Sequence, residues 1–309
     1  MNHTPTTKEY FVAAILVFLG AVLVSTKAIF VKLAYQYSID SASLLTLRMA
    51  FSFPIFLIIA IWSFNKKKNR QNPLTKKELG IIMLMGMLGY YLASLFDFMG
   101  LQYISASFER IILYLYPTIV LLMSLVFLKK KILNFQLIAL GLTYLGVGMA
   151  FWENLQSNFG ENIWLGTGLV FLSALFYSVY LIGGGIILPK VGTFRFNSLA
   201  MLSASFGIFI HHYLFNETDL LSFDKPVYQL SIAIAIIATI IPTFLIVEGV
   251  RVIGSNNAAI ITSIGPISTI ILAYIFLEER LGWLQWTGTL FVIAGVLLIA
   301  LKKKNYKEL

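Results

Sequence analysis

The sequence predicts an all-α integral membrane protein whose ten transmembrane helices form two inverted five-helix repeats, with both termini in the cytoplasm. The first observation is composition: 59% of the 309 residues are hydrophobic, 12% are charged, and the mean hydropathy is +0.84. Soluble domains are about 45–50% apolar and about 25% charged, so they are excluded. The other two observations are the distribution of basic residues and an internal recurrence.

Ten apolar runs are long enough to cross a bilayer as helices, which requires about 20 residues each. Membrane β-strands are about 9–11 residues long and alternate in polarity, which these runs do not. The breaks are too short for a soluble catalytic domain, and the first run lacks a small-residue cleavage site, so we expect it to be retained. The predicted spans lie near 10–34, 41–63, 78–100, 104–128, 135–152, 163–182, 197–215, 228–250, 255–277 and 283–301.

Basic residues outside the predicted spans lie almost entirely on one side. With the N-terminus in the cytoplasm, 17 lysines and arginines fall inside and only two, Lys225 and Arg280, fall outside. This asymmetry follows the positive-inside rule and explains the formal charge of +9 without nucleic acid. The tryptophans lie at span ends, as residues of the membrane interface do: Trp62, Trp152, Trp164, Trp283 and Trp286.

A segment of the first half of the sequence is repeated in the second half. Aligned without gaps at an offset of 149, Gly100–Ala150 and Gly249–Ile299 are identical at 10 of 51 positions. The recurring residues include those that punctuate helices: Gly100/Gly249, Pro117/Pro266, Gln136/Gln285 and Gly146/Gly295. Such internal symmetry is typical of transporter folds.

Five predicted spans separate the two copies, and because five is odd the second copy must be inverted in the membrane. The charges agree: "KKK" at 129–131 falls inside, and its counterpart "EER" at 278–280 falls outside. We therefore expect a first repeat over 1–154, a second over 160–303 and a cytoplasmic tail over 304–309.

Several segments resemble the EamA-type members of the drug/metabolite transporter (DMT) superfamily. The resemblance covers nearly the whole chain. It is carried by Arg48 in "LLTLRMAF", by "GLQYISASFERIILYLYP", by "SNNAAIITSIGP" and by "FLEERLGWLQWTGTLFVIAGV". In the first half the corresponding passage, "FLKKKILNFQLIALGLTYLGV", lacks the usual acid. The resemblance implies ten helices in two inverted halves, transport of small metabolites such as amino acids, and a cavity surrounded by spans 1, 3, 4, 6, 8 and 9.

Five charged residues lie inside predicted spans: Lys27, Arg48, Asp97, Glu109 and Arg110. Their positions place all five in one layer, roughly 5–10 Å below the outer surface. Each costs roughly 2.5–3.5 kcal/mol to insert, so we expect them to serve a purpose. One hypothesis is a closed ion-pair network, such as Asp97 with Arg110 and Glu109 with Arg48 or Lys27. The other is a substrate site, in which a cation holds a carboxylate and an acid holds an ammonium group or a proton.

Further candidates complete the predicted cavity and its moving parts. Tyr114, Tyr177, Asn256, Asn257 and Ser263 are cavity candidates, although aromatic packing and hydrogen bonds between helices explain them as well. Pro117 and Pro266, in symmetry-related spans, predict kinks or hinges, and Gly183, Gly184 and Gly185 predict a hinge or a helix end. Asp97, Glu109 and Glu248 are the proton-coupling candidates.

Together these features predict a secondary transporter that moves a small, amino-acid-like metabolite by alternating access. Proton coupling and export are options that the sequence leaves open. The alternatives are a receptor or scaffold for a soluble partner and an enzyme acting on lipids. The sequence contains no cysteine, no phosphate-binding loop and no catalytic or metal-binding motif, so we expect no enzyme activity, cofactor or metal. We expect a multi-pass protein of the bacterial inner membrane, with the lipid bilayer and a small molecule as partners, no nucleic acid, and a homodimer as one permitted state.

Overall fold

A computed structural model describes residues 7–65, 73–128, 134–156, 162–262 and 264–305, and every regular element in these ranges is helical. Helices α3 and α9 each contain a π-helical stretch. The bounds are α1 Thr7–Tyr35, α2 Ser41–Asn65, α3 Lys76–Gly86 with π Met87–Leu92 and Ala93–Leu101, α4 Ala106–Leu113, α5 Tyr116–Leu128, α6 Asn134–Gln156, α7 Ile163–Val191, α8 Thr193–Phe215, α9 Lys225–Ala235 with π Ile236–Ile240 and Ile241–Thr262, α10 Gly265–Leu277 and α11 Trp283–Asn305.

Six of the described helical segments are long and apolar enough to span a membrane. They are Lys8–Tyr35, Ser41–Asn65, Lys76–Leu101, Ile163–Leu188, Thr193–Phe215 and Lys225–Gly249. All five tryptophans and many large aliphatic side chains are exposed on the outside of the bundle. An apolar exterior of this extent is suited to lipid rather than to water.

Two helix interruptions occur directly before the paired prolines. Helix α4 ends at Leu113 and α5 begins at Tyr116, while α9 ends at Thr262 and α10 begins at Gly265. Pro117 and Pro266 are each the second residue of the new helix, where a missing backbone N–H leaves no hydrogen bond unmade. The predicted kinks are therefore complete breaks, and the break in the predicted span 104–128 divides it into two helices.

The predicted gap between spans 8 and 9 is helical instead. Helix α9 runs through residues 251–254 to Thr262. In the first half a loop separates α3 from α4, and Ser105 caps the new helix by accepting a hydrogen bond from Phe108 N at 3.1 Å. The residue 149 positions later is Gly254, which has no side chain to form such a cap. The helix consequently has no signal to end there.

Helix α7 also continues past its predicted end. It runs through Gly183, Gly184 and Gly185 to Val191, so these glycines do not stop the helix. Gly183 lies against the thioether of Met85, where a larger residue would clash. A hinge at these glycines remains a prediction.

The π-helical stretches of α3 and α9 begin at Met87 and Ile236, which are separated by the same offset of 149 residues. In α9 the hydroxyl of Thr239 donates to the carbonyl of Ile234, five residues earlier, at 2.9 Å. A π-helical turn inside an α-helix is uncommon and is frequently found at functional sites. At both stretches the regular α-helical hydrogen-bond pattern is therefore interrupted at equivalent positions of the two halves.

Helices from the two halves of the chain pack against each other in pairs: α1 on α9, α2 on α8, α3 on α7 and α6 on α11. Two of these crossings make the same kind of contact, in which a glycine lies against a valine methyl group and a backbone carbonyl. A Cβ added at Gly100 would meet Val170 Cγ2 and the Gly166 carbonyl, and one added at Gly249 would meet Val17 Cγ2 and the Ala13 carbonyl. Small residues of this kind let backbones approach closely inside membranes.

The crossing of α6 and α11 follows the same rule. A Cβ added at Gly146 would meet the carbonyl of Gly288, one added at Gly288 would meet the carbonyl of Gly146, and one added at Gly295 would lie 2.7 Å from the carbonyl of Ala139. The 149-residue offset converts Gly146 into Gly295 and Ala139 into Gly288. The two contacts at this crossing are therefore equivalent under exchange of the halves.

Candidate functional site

Four of the five charges of the predicted layer form a chain of ion pairs: Asp97, Lys27, Glu109 and Arg110. The ammonium group of Lys27 on α1 bonds directly to Asp97 Oδ2 on α3 and lies 3.9 Å from Glu109 Oε1 on α4. Arg110 folds back on its neighbour, with Nε 3.8 Å from Glu109 Oε2. This pairing differs from the example given for a closed ion-pair network, because Lys27 rather than Arg110 forms the ion pair with Asp97. Helix rotation, which the sequence does not reveal, decides this choice.

These ion pairs are buried but incompletely satisfied. The side chains of Asp97 and Glu109 are 1% and 0% exposed, and that of Lys27 is 18% exposed. Asp97 Oδ1, both carboxylate oxygens of Glu109 and Arg110 Nε form no hydrogen bond. A buried charge without a full set of partners is costly. The cluster is therefore able to exchange its weaker contacts for those of a ligand or a proton.

Arg48 on α2 stands apart from this chain of ion pairs. Its Nη1 lies 3.5 Å from Ser94 Oγ, and its guanidinium carbon lies 5.6 Å from the centre of the Phe98 ring. The residue is 3% exposed, and its Nε has no hydrogen-bond partner. In the described part of the chain, no carboxylate lies within ion-pair distance of Arg48.

Tyrosine rings form a continuous ladder beside the charges. Successive ring centres are 6.0 Å apart for Tyr114 and Tyr116, 5.4 Å for Tyr116 and Tyr177, 5.7 Å for Tyr177 and Tyr180, and 5.0 Å for Tyr180 and Tyr90. The hydroxyl of Tyr180 lies 3.1 Å from that of Tyr90. The structure thus brings the predicted Tyr114 and Tyr177 together in one aromatic row.

A small, mainly apolar groove with room for about one water molecule lies between α2, α8 and α9, and its lining includes Phe56, Asn197, Ser198, Thr243 and Phe244. These residues lie on the cytoplasmic side of the charged layer in the predicted topology. The groove reaches the tyrosine ladder, since Asn197 Oδ1 is 3.4 Å from the hydroxyl of Tyr180. Polar side chains therefore connect the groove with the interior of the bundle.

Glu279 contributes a contact that the sequence did not predict. Its carboxylate accepts hydrogen bonds from Ala106 N at 2.8 Å, Ser107 N at 3.1 Å and Ser107 Oγ at 2.8 Å. It thereby caps the first turn of α4, where a negative charge is favourable. The signal was present in the "EER" tripeptide, but nothing in the sequence named a partner 173 residues away.

The two helix interruptions are joined across the bundle. The hydroxyl of Tyr114, at the first interruption, donates to the carbonyl of Thr262 at the second, at 2.6 Å. Ser25 on α1 donates to the carbonyl of Gly265 at 3.1 Å. Tyr114 is therefore anchored to the C-terminal end of α9, and its hydroxyl satisfies a carbonyl that the broken helix leaves without an internal partner.

Several predicted residues take no part in this description. The side chains of Asn256 and Asn257, and Ser263 as a whole, lie outside the described residues. Glu248 lies in α9, and the side chain of the nearby base Arg251 is also outside them. Within the described ranges, no group of three histidines or acids could hold a metal ion.

Comparison with known proteins decides the family. The model of the "EamA-like transporter family" matches this chain twice, over residues 11–152 and 164–301. The chain belongs to the EamA-like transporter family. Its expected membership of the DMT superfamily is thereby confirmed.

Individual relatives of the chain are also named as transporters. The chain is 29% identical over 297 residues to "Uncharacterized transporter YcbK" of Bacillus subtilis (strain 168). This alignment covers 94% of each protein. It is 24% identical over 238 residues to "Uncharacterized transporter YetK" of the same organism, covering 75% of this chain and 71% of YetK. A solved structure described as "Crystal structure of protein" shares the fold, with a TM-score of 0.63 at 14% identity, over 95% of this chain and 98% of that one.

Family and structure together establish a multi-pass membrane protein with a general transporter role. In bacteria such a protein resides in the inner membrane, as expected from the sequence. A member of this family requires a small-molecule substrate and a bilayer, and its membership indicates transport rather than catalysis.

Proposed function

We propose that this protein is a secondary transporter that moves a small, amino-acid-like metabolite across the inner membrane by alternating access. The buried charge cluster of Lys27, Asp97, Glu109 and Arg110 is the observation that carries the proposal. These charges lie among helices α1, α3 and α4, and charged groups kept inside a membrane protein characteristically mark substrate or proton pathways.

The proposed architecture is ten membrane spans in two inverted repeats, over residues 1–154 and 160–303, with both termini and the tail 304–309 in the cytoplasm. Three features support it. The family model matches each half separately. The π-helical stretches and the helix interruptions recur at the 149-residue offset, and the glycine crossings of α6 and α11 are equivalent when the halves are exchanged. Two such halves can exchange conformations and open one site alternately to each side.

In this topology the outer face of the described bundle is closed and the groove lies on the inner side. The Glu279 carboxylate ties the start of α4 to the segment after α10, and Tyr114 ties the two interruptions together. To admit a substrate from outside, the bundle must break the Glu279 contact. The same transition closes the groove between α2, α8 and α9.

The charge cluster suits a zwitterionic substrate. Glu109 lies 3.9 Å from Lys27 and 3.8 Å from Arg110, which are loose contacts that an ammonium group can replace. A cation of the same layer is then available for a substrate carboxylate. Both acids contact Lys27, so a proton on Asp97 or Glu109 would remove one of the two ion pairs of the lysine, and Glu248 is a third candidate for proton coupling. We retain export as the direction and a homodimer as the assembly to be tested.

Counterflow in proteoliposomes tests this function. Vesicles loaded with one amino acid are exposed to the same labelled amino acid outside, for a panel of amino acids and related metabolites at two pH values. We expect accumulation of at least one compound, and strong loss of it in Glu109→Gln and Arg110→Gln. The exposed acid Glu217 supplies the matched control, Glu217→Gln, which should transport normally. Unchanged transport in both cluster variants would leave the cluster as a purely structural pairing.

A further inference from the structure

Arg48 is a fully buried cation whose contacts do not neutralise it. It is 3% exposed, its Nε is without a hydrogen bond, and its neighbours are an uncharged hydroxyl and an aromatic ring. We propose that Arg48 binds the carboxylate of the transported metabolite. This inference rests on the proposed transport function and identifies one residue, and one substrate group, within it.

The pairing of the other charges singles out Arg48. The layer holds three bases and two acids, and Lys27 takes Asp97 while Arg110 lies against Glu109. Asp97 acts electrostatically on Arg48 as well, but its Oδ2 is already bonded to Lys27. Arg48 is therefore the base that remains without its own acid in the described bundle. An arginine stays charged even when buried, so its positive charge requires an external partner.

A route of polar groups leads from the inner groove to Arg48. Asn197 lines the groove and contacts the hydroxyl of Tyr180, which contacts the hydroxyl of Tyr90. Tyr90 lies four residues before Ser94 on α3 and interacts electrostatically with the Arg48 guanidinium. Ser94 in turn contacts the Arg48 guanidinium. The groove and the unneutralised cation are thus the two ends of one series of hydroxyl and amide groups.

The chemistry favours a carboxylate over other anions. The planar guanidinium presents parallel N–H groups that match the two oxygens of a carboxylate, and the Phe98 ring supports one of its faces. Three bases and two acids leave one positive charge in the layer. A single carboxylate matches the one charge of the Arg48 guanidinium as a local ion pair, whereas a phosphate dianion would bring more negative charge to this buried position than Arg48 can neutralise. An ammonium group on the same molecule would face Glu109.

Binding of matched probes to the purified protein tests the assignment without requiring transport. Each proteinogenic L-amino acid is screened for stabilisation of the wild type in detergent, and affinity is then measured for every hit, its amide and the amine that lacks the carboxyl group. The same titrations use Arg48→Gln, Arg48→Lys and the control Arg195→Gln, which alters another buried arginine, on α8. Each variant is compared with its own ligand-free stability, so a general loss of stability does not imitate a loss of binding.

We expect a carboxylate-bearing hit to bind Arg48→Gln roughly tenfold to a hundredfold more weakly, because a charge-assisted hydrogen bond is lost. Arg48→Lys should be intermediate, since it keeps the charge but not the paired N–H groups, and Arg195→Gln should bind as the wild type does. The amide and the amine should bind the wild type and Arg48→Gln equally weakly.

Three results would overturn the assignment: an amide that binds as tightly as its acid, a hit that binds Arg48→Gln as tightly as the wild type, or no stabilisation by any amino acid. The transport proposal and the Arg48 assignment can be refuted independently of each other. Binding that depends on Arg48 without counterflow would refute transport and leave the carboxylate site intact. Counterflow that is insensitive to Arg48→Gln would refute the site and leave transport intact.

Discussion

The outer contact of Glu279 makes a specific prediction about which side of the bundle is open. Replacing this residue by glutamine converts one acceptor oxygen into an NH2 donor. Whichever oxygen is replaced, that donor would face a backbone N–H, because Ala106 N donates to Oε1 at 2.8 Å and Ser107 N donates to Oε2 at 3.1 Å. The variant Glu279→Gln should therefore weaken the closure of the outer face without removing any apolar contact.

The size of the effect follows from the interactions lost. A hydrogen bond to a charged group contributes about 1.5–3 kcal/mol, and a negative charge at a helix N-terminus contributes about 0.3–1 kcal/mol when exposed. Because Glu279 is half-buried, the lower end applies, and we expect a loss of about 1–2 kcal/mol from the outward-closed state. The population open to the outside should rise roughly fivefold to thirtyfold.

Thiol labelling measures this shift directly, because the native chain has no cysteine. The reporter is Ser94→Cys, beside Arg48 in the charged layer, labelled by a membrane-impermeant maleimide in intact cells. The matched control is Glu278→Gln, which removes a neighbouring exposed acid and keeps its backbone unchanged. We expect faster labelling in Glu279→Gln and an unchanged rate in the control. Equal rates in the two variants would show that Glu279 does not hold the outer face closed.

Three further predictions concern stability in detergent, measured by thermal unfolding. Lys27→Met should cost about 3 kcal/mol because it leaves two buried acids without their lysine, and adding Asp97→Asn should recover part of the loss; no recovery would contradict the pairing. Gly146→Leu should cost about 1–3 kcal/mol through a clash with α11, whereas Gly148→Leu meets open space and should be neutral; similar costs would contradict the crossing. Tyr114→Phe should cost about 1 kcal/mol through its lost hydrogen bond, and no change would dispute that contact.

The sequence predicted those features that depend on residue type at a given depth. The membrane character and the burial of Arg48, Asp97, Glu109 and Arg110 required only hydropathy and helical rise, whereas Lys27 keeps 18% of its side chain exposed. Proline chemistry predicted a disturbance of the helices at Pro117 and Pro266, although a kink rather than a break was expected. The family followed from short motifs. The exposed tryptophans at the helix ends were likewise predictable from the preference of their rings for the membrane interface.

Features that depend on helix rotation were not predictable. Lys27, rather than Arg110, pairs with Asp97 because of the faces that α1 and α3 present to each other. The contact of Glu279 with Ser107 joins residues 172 positions apart, more than one repeat, and has no local signature. The helical path through residues 251–254 was missed because hydropathy alone placed a gap there, although the absence of a capping side chain at Gly254 argued for continuity.

Alternating access by inverted halves is the central claim, and the orientation of the two equivalent charged tripeptides tests it most directly. Single cysteines at Lys130 and Arg280 occupy the charged tripeptides that are related by the repeat. In intact cells an impermeant maleimide should label Arg280→Cys at once and should label Lys130→Cys only after the membrane is permeabilised. Labelling of both positions from the same side would contradict the inverted arrangement and the transport mechanism built on it.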